Sequence, residues 1–159
     1  MKIVLMFIFL SFGYAFAQNS YSTKSNWLLD TNSTDAKFHK IQKQLRGFDL
    51  AMVEVGYRFN GFYFAIKDKN YPLANYHWDK IKKAIENGII RRPKREGNSK
   101  AMFLDSEYKS MKEALSSGDD KKIWEEYGKA KGVCNACHKA ERVPFIEVID
   151  PEHRWQPIK

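Results

Sequence analysis

The chain has 159 residues and a formal net charge of +8, from 27 lysines and arginines against 19 aspartates and glutamates. This length is typical of one compact domain and argues against an assembly of several. The positive balance disfavours a basic partner, so any charged partner is expected to be acidic.

Residues 1–17 are predicted to be a signal peptide. Lys2 precedes an apolar stretch from Ile3 to Leu10, and Ala15-Phe16-Ala17 forms a small-x-small cleavage site. The apolar stretch is shorter than the ~20 residues that span a bilayer, which disfavours an uncleaved anchor. We therefore expect cleavage after Ala17, a periplasmic location and no membrane span once the signal is removed.

A polar lead-in over residues 18–33 precedes the first predicted helix. Ser33 or Thr34 is a suitable N-cap, and Asp35 favours the first turn. Apolar residues then alternate in steps of three and four, which predicts one long helix with a heptad seam. The seam residues are Phe38, Ile41, Leu45, Phe48, Met52, Val55, Phe59, Phe62 and Ile66.

Three further helices are predicted. The second runs from Pro72 to a stop at Gly88, the third from about Ser99 to Ser117, and the fourth from Asp119 or Asp120 until Pro144 ends it. Short connections between four helices predict an all-α, up-down-up-down four-helix bundle over residues 34–142. Residues 143–159 are expected to form an extended tail that lies against the bundle.

The segment GVCNACHKA, residues 132–140, carries both cysteines and one of the four histidines. A redox dithiol would need its first cysteine at the start of a helix, whereas this segment closes one. A structural zinc site would need a distant fourth ligand from His39, His77 or His153. A disulfide across one helical turn would close too small a loop to stabilise the fold appreciably.

The remaining interpretation is covalent haem attachment, because C-x-x-C-H is the signature of that chemistry. Cys134 and Cys137 lie one turn apart and can reach two adjacent vinyl groups. His138 follows directly and can project towards the iron as an axial ligand. Export agrees with this interpretation, since the usual bacterial attachment pathways operate outside the cytoplasm.

A four-helix bundle with YGKAKGVCNACHKA on its last helix resembles the class II cytochromes c, the family of cytochrome c′ and its low-spin relatives. The resemblance spans about residues 35–142. It implies one haem c with its iron inside the bundle, bound through Cys134 and Cys137, with His138 as proximal ligand. One departure is the tail after His138, which is longer than the family's and is expected to cover a haem edge or to dock a partner.

The other axial position of the iron is expected to face the first helix. Met52 is on the inward seam, and counting along the helices places it within about one turn of His138 in depth. The resemblance implies a distal position in this part of the helix. Met52 is therefore the possible distal ligand or part of the distal wall, with Phe48 beside it. Met102 and His153 are weaker alternatives, whereas Met111 is expected too near the far end of the bundle to reach the iron.

Two functions remain open. Ligation by Met52 gives a one-electron carrier that uses the Fe(III)/Fe(II) couple, and an open iron gives a five-coordinate, cytochrome c′-like protein that binds NO or CO. No nucleophile or acid–base set accompanies the motif, so we expect no enzyme. Nucleic acid is not expected as a partner, and the resemblance implies a possible homodimer.

Basic residues are expected to surround the haem end of the bundle. The predicted loop between the second and third helices should lie at the end where the last helix finishes. The cations there would pair with haem propionates or steer acidic redox partner proteins. They are Arg91, Arg92, Lys94, Arg95, Lys129, Lys131, Lys139 and Arg142.

Overall fold

The computed structural model describes residues 27–159. The predicted signal peptide and residues 18–26 of the lead-in lie outside the described residues. The chain divides between Ile41 and Gln42 into two compact units. Residues 27–159 form helices and contain no strand, so the predicted all-α class is confirmed. None of the helices in this range combines the length and hydropathy needed to cross a membrane.

Helix α1 spans Thr34–Gln44 and begins where the sequence predicts. The Ser33 hydroxyl accepts a hydrogen bond from the Ala36 N–H at 3.1 Å, which satisfies one of the free donors of the first turn. Asp35 lies in that turn, where a negative charge stabilises the helix dipole. Trp27 lies before α1, and its carbonyl accepts a hydrogen bond from the Lys40 ammonium of α1 at 2.7 Å.

The prediction of one unbroken helix to Ile66 is wrong, because α1 ends at Gln44 and α2 spans Phe48–Lys67. Arg46 has a left-handed backbone with φ of 57°, and the Gly47 N–H donates to the Asp49 carboxylate at 3.0 Å. This local bond competes with continued helix. Gly47 is also buried beneath Arg92, whose Nε would lie 3.0 Å from an added Cβ.

Helix α3 spans Tyr71–Arg91 and is capped by Asn70, whose side chain accepts from the Leu73 N–H at 3.1 Å. Pro72 lies in its first turn as predicted. The predicted stop at Gly88 is wrong, since α3 continues to Arg91. Gly88 instead allows α2 and α3 to approach closely, because a Cβ there would lie 2.9 Å from the Ala51 Cβ.

The next helix, α4, covers residues 96–117 after a 3₁₀ turn at Pro93–Arg95, so it begins three residues before the predicted start. It is α-helical at Glu96–Ser99, π-helical at Lys100–Glu107 and α-helical again at Tyr108–Ser117. Gly118 ends it in the left-handed conformation expected of a C-terminal glycine.

Helix α5 spans Asp120–Ala140. The Asp119 carboxylate caps it by accepting from the backbone N–H groups of Lys121 and Lys122. The helix ends four residues before Pro144, the residue predicted to stop it, and Arg142 then takes a left-handed backbone with φ of 61°. Residues 141–159 contain no helix or strand.

Helices α2 to α5 fit a four-helix bundle with short connections. At one end, the Tyr71 hydroxyl donates to Asp120 at 3.1 Å, so the α2–α3 and α4–α5 connections are neighbours. At the other end, Asn98 donates to Glu141 at 2.8 Å, so the start of α4 meets the end of α5. This confirms that the basic α3–α4 connection lies where the last helix finishes.

The core centres on an aromatic cluster between α2, α3 and α5. The Phe62 ring lies 4.8 Å from the Trp78 ring, and Phe59 stacks on Tyr127 at 5.3 Å between centroids. Trp78 is fully buried, and its indole N–H donates to the Tyr108 carbonyl at 3.0 Å. These contacts join α2 to α5 through bulky side chains, beside the cavity that the same helices enclose.

Candidate functional site

A cavity of about 800 Å³ lies between α2, α3, α4, α5 and the tail. This volume is within the range of roughly 300–1,000 Å³ that is typical of small-molecule and cofactor sites. Most of its wall is apolar, with aromatic rings on three helices. The apolar side chains are Phe48, Met52, Val53, Val55, Phe59, Trp78, Ile81, Ile85, Phe103, Val133, Val143, Ile146, Val148, Ile149 and Trp155.

Cys134, Cys137 and His138 all line this cavity from the last two turns of α5. Both cysteines are free thiols. Burial raises the pKa of the Cys134 thiol to about 12, with Cys137 and Glu107 adding to the effect. Burial also raises the pKa of Cys137, against an opposing contribution from the Arg95 guanidinium. The thiols are therefore protonated at neutral pH, unlike the low-pKa thiols of a redox dithiol.

The tail fixes the orientation of the His138 ring. Its Nδ1 lies 2.7 Å from the Ile146 carbonyl oxygen, which can only accept, so Nδ1 carries the proton. This bond leaves Nε2 as the nitrogen with a free lone pair. A backbone carbonyl in this role is the usual outer partner of a metal-binding histidine, because it fixes both the tautomer and the ring orientation.

Met52 lines the same cavity from α2, one turn after Phe48. The structure thus brings Met52 and His138 to one cavity from two helices, as their counted depths predict. Met111 is fully buried in the core and is not a lining residue. Met102 is half-buried on α4 and is likewise absent from the wall, whereas His153 of the tail lines it.

The ligand sets considered for zinc are not assembled in the described residues. His77 is fully buried on α3, where its ring would lie 2.6 Å from a Cβ added at Gly61, and it does not line the cavity. His39 lies on α1, in the other compact unit. Within residues 27–159, no three His, Cys, Asp or Glu side chains are placed to hold a metal ion.

The tail is expected from the sequence to lie against the bundle, but the sequence does not identify the polar residues that hold it there. Asn135 holds Val148 through two hydrogen bonds, and Asp150 accepts from the Tyr127 hydroxyl at 2.9 Å and from the Lys131 ammonium at 2.7 Å. Farther on, the Asn60 amide on α2 donates to the His153 carbonyl at 2.8 Å. No spacing or motif marks these polar residues, so only the three-dimensional structure identifies them.

Three of the basic residues expected at the haem end form ion pairs. Arg95 pairs with Glu141 at the end of α5, and Glu141 also accepts from Asn98. Lys129 and Lys131 pair with Glu126 and Asp150. Arg95, Lys129 and Lys131 are therefore neutralised by carboxylates that are distant in sequence or one helical turn away.

No family model matches this chain, and no curated protein or solved structure is significantly similar to it.

Proposed function

We propose that this protein is a mono-haem c-type cytochrome that carries single electrons. One observation carries the proposal: Cys134, Cys137 and His138 from α5 and Met52 from α2 all line one largely apolar cavity. The volume of this cavity and its aromatic walls suit a large, flat, apolar cofactor. The three α5 residues form the C-x-x-C-H attachment sequence.

The two thiols are the attachment points. Each S–H adds across one vinyl C=C, so that a C–S bond forms, the hydrogen moves to the other vinyl carbon and no net oxidation occurs. Cys134 and Cys137 lie one helical turn apart on α5, which gives them the separation that two adjacent vinyl groups require.

His138 is the proposed proximal ligand. The hydrogen bond from Nδ1 to the Ile146 carbonyl leaves Nε2 as the coordinating nitrogen and makes the imidazole a stronger donor. The same bond ties the ligand to the tail, so ring rotation would break a contact at 2.7 Å. Residues 143–155 also contribute Val143, Ile146 and Val148 to the cavity wall, which would limit access of water to the ligand.

Met52 is the proposed distal ligand. The thioether sulfur of a methionine favours the reduced iron, so a His/Met pair raises the reduction potential. The bound group supplies the Fe(III)/Fe(II) couple, and the chain supplies its two axial ligands and a low-polarity surrounding. Apolar neighbours such as Phe48 and Val55 also lie in this wall and disfavour entry of a competing water.

Covalent attachment is tested first. The protein is produced in a periplasm that contains haem attachment machinery, and its intact mass is measured after acid extraction. We expect a mass gain of one haem, and we expect its loss in the Cys134→Ser/Cys137→Ser double variant. A wild-type protein that carries no extraction-resistant haem would disprove the proposal.

The distal ligand is tested by absorption spectra of the ferric and ferrous protein with and without CO. A low-spin spectrum that CO does not alter supports the electron carrier, whereas rapid CO binding supports the gas-binding alternative. Met52→Ala should convert the low-spin form to one that binds CO. Met102→Ala is the matched control, since Met102 is outside the cavity wall, and an unchanged low-spin spectrum in Met52→Ala rejects Met52 as the ligand.

A further inference from the structure

Five cations belong to the two segments that meet where α3 and α5 finish. We call them the basic end: Arg91, Arg92, Lys94, Lys139 and Arg142. They come from two segments far apart in sequence. The side chains of Arg95 and Asn98 both contact Glu141, which holds the α3–α4 connection against the end of α5 and so brings the two groups of cations to one surface.

No carboxylate neutralises the basic end. Within residues 27–159, none of its five members makes an ion pair. Two nearby carboxylates, Asp49 and Glu141, are already paired with Arg46 and Arg95. A surface of five uncompensated cations attracts polyanions and keeps its charge available for a partner.

Exposed apolar side chains follow directly after these cations. Phe145 is 80% exposed, Ile149 is 64% exposed and Ile146 is 50% exposed. A tight turn presents Phe145 to solvent, because the Val143 N–H donates to the His138 carbonyl at 2.9 Å and the Ile146 N–H donates to the Val143 carbonyl at 3.0 Å. Exposed apolar side chains that are neighbours in one segment, unlike a single one, are typical of an interaction surface.

We propose that the basic end, together with Phe145 and Ile146, docks on an anionic phospholipid surface. Cations beside an aromatic ring and an aliphatic side chain form the pattern of a peripheral membrane site: the charges attract the headgroups and the apolar side chains enter the boundary with the acyl chains. An acidic protein would also satisfy the cations. Phe145, which does not line the cavity, favours lipid, since a polar acidic surface leaves its exposed ring without a counterpart.

The docked orientation would bring the candidate site close to the membrane. His138 lies one helical turn before Arg142, and Ile146 both accepts from His138 and belongs to the proposed contact. The docking itself needs no haem, so its outcome is independent of the proposed function.

The test is co-flotation of the purified protein with vesicles. We expect the protein to float with vesicles of phosphatidylcholine and phosphatidylglycerol, to stay behind with pure phosphatidylcholine, and to be released by high salt because the charges are screened. Lys94→Glu/Lys139→Glu should weaken binding by about tenfold or more. Phe145→Ser should weaken it by about tenfold, as expected from the loss of one buried phenylalanine.

The matched control is Lys121→Glu/Lys122→Glu, which makes the same change in net charge at the opposite end of the bundle and should bind as the wild type does. Equal binding by this control and by Lys94→Glu/Lys139→Glu would show that only net charge matters and would overturn the site. Phe145→Ser binding that equals the wild type, or retention on immobilised polyglutamate without flotation on anionic vesicles, would overturn the lipid partner in favour of an acidic protein. Circular dichroism and unfolding midpoints confirm that each variant is folded.

Discussion

Asn135 and Val148 are joined by a pair of hydrogen bonds. The Asn135 amide nitrogen donates to the Val148 carbonyl at 3.1 Å, and the Val148 N–H donates to the Asn135 amide oxygen at 2.7 Å. One side chain on α5 thus satisfies both backbone groups of a tail residue, as a neighbouring strand would do. Asn135 lies inside the C-x-x-C-H sequence, between Cys134 and Cys137, so the tail is fastened to the candidate site itself.

Replacing Asn135 with alanine should loosen the tail. Both backbone groups of Val148 lose their partner, which costs about 1–3 kcal/mol for groups that stay partly buried. We expect faster hydrogen exchange over residues 145–151 with the helices unchanged, measured by mass spectrometry of peptic peptides. Asn75→Ala, on the α3 surface that contacts Lys112, is the control and should leave tail exchange as it is. Equal exchange in the two variants would contradict the anchoring role.

Replacing Gly61 or Gly56 of α2 with alanine should have opposite effects on the stability of the fold. A Cβ at Gly61 would lie 2.6 Å from the His77 ring and 2.7 Å from the Gln156 amide nitrogen, whereas a Cβ at Gly56 meets nothing within 4 Å. Gly61→Ala should therefore destabilise the fold by about 1–3 kcal/mol through overpacking. Gly56→Ala should stabilise it by about 0.5–1 kcal/mol through helix propensity. Urea unfolding measures both, and a Gly61→Ala protein as stable as Gly56→Ala would contradict the packing described here.

His77 should make stability depend on pH. It is fully buried and neither ring nitrogen has a hydrogen-bond partner in the structure. Burial lowers the pKa of His77, and the Arg58 guanidinium lowers it further. The unfolded chain therefore binds the proton more readily, so stability is full above the unfolded pKa of about 6.5 and falls as the pH drops below it, by up to about 1.4 kcal/mol per pH unit.

The His77→Phe variant tests this dependence, since it removes the titrating group and leaves no unpartnered nitrogen. The free energy of unfolding, measured between about pH 7.5 and about pH 5.5, should fall less steeply in His77→Phe than in the wild type. His39→Gln, at an exposed position on α1, should keep the wild-type slope. Parallel curves for wild type and His77→Phe would refute the assignment.

Glu107 should give stability a pH dependence opposite to that of His77. It is buried in the π-helical part of α4, and one of its carboxylate oxygens has no hydrogen-bond partner among residues 27–159. Burial raises the pKa of Glu107, with Glu126 adding and Lys129 opposing. The folded state therefore holds the proton longer, so stability is full below the unfolded pKa and is lost as the pH rises through the folded value.

Glu107→Gln should consequently raise the free energy of unfolding at neutral pH, by about 1 kcal/mol or more, and have little effect near pH 4. Thermal or urea unfolding at the two pH values provides the measurement. Glu113→Gln, exposed on the same helix, should change neither. A destabilised Glu107→Gln protein at neutral pH would show that the carboxylate is needed and would contradict this account.

Sequence patterns predicted the helices well where the local signals agreed with the packing. Ser33 and Asp119, both expected at helix starts, accept backbone hydrogen bonds there, whereas the cap of α3 is Asn70, which was not identified from the sequence. The heptad seam was misleading at Leu45, which is 49% exposed, because the Asp49 side chain and the left-handed Arg46 end the helix there. The spacing of apolar residues indicates which of them would share one face of a helix. It does not indicate whether the helix is continuous between them.

The cysteines, His138 and Met52 were identifiable because spacing along a helix determines which residues share a wall. The contribution of the tail was not, since Asn135 and Asp150 act through partners 13 and 23 residues away. The π-helical stretch was also unpredictable, because eight residues of KAMFLDSE carry no distinguishing pattern. The carboxylates that neutralise Arg95 and Lys131 required the fold to bring distant segments together.

One wall of the cavity differs from the others in how it is held. The other sides are the helices α2 to α5, which have continuous backbone hydrogen bonding, but the side formed by residues 143–155 depends on a small set of side-chain bonds, such as those from Asn135 and Asn60. Such a segment opens at a smaller free-energy cost than the helices and can do so while they stay intact. Residues 143–155 are therefore the side of the cavity that can open most easily while the bundle stays folded.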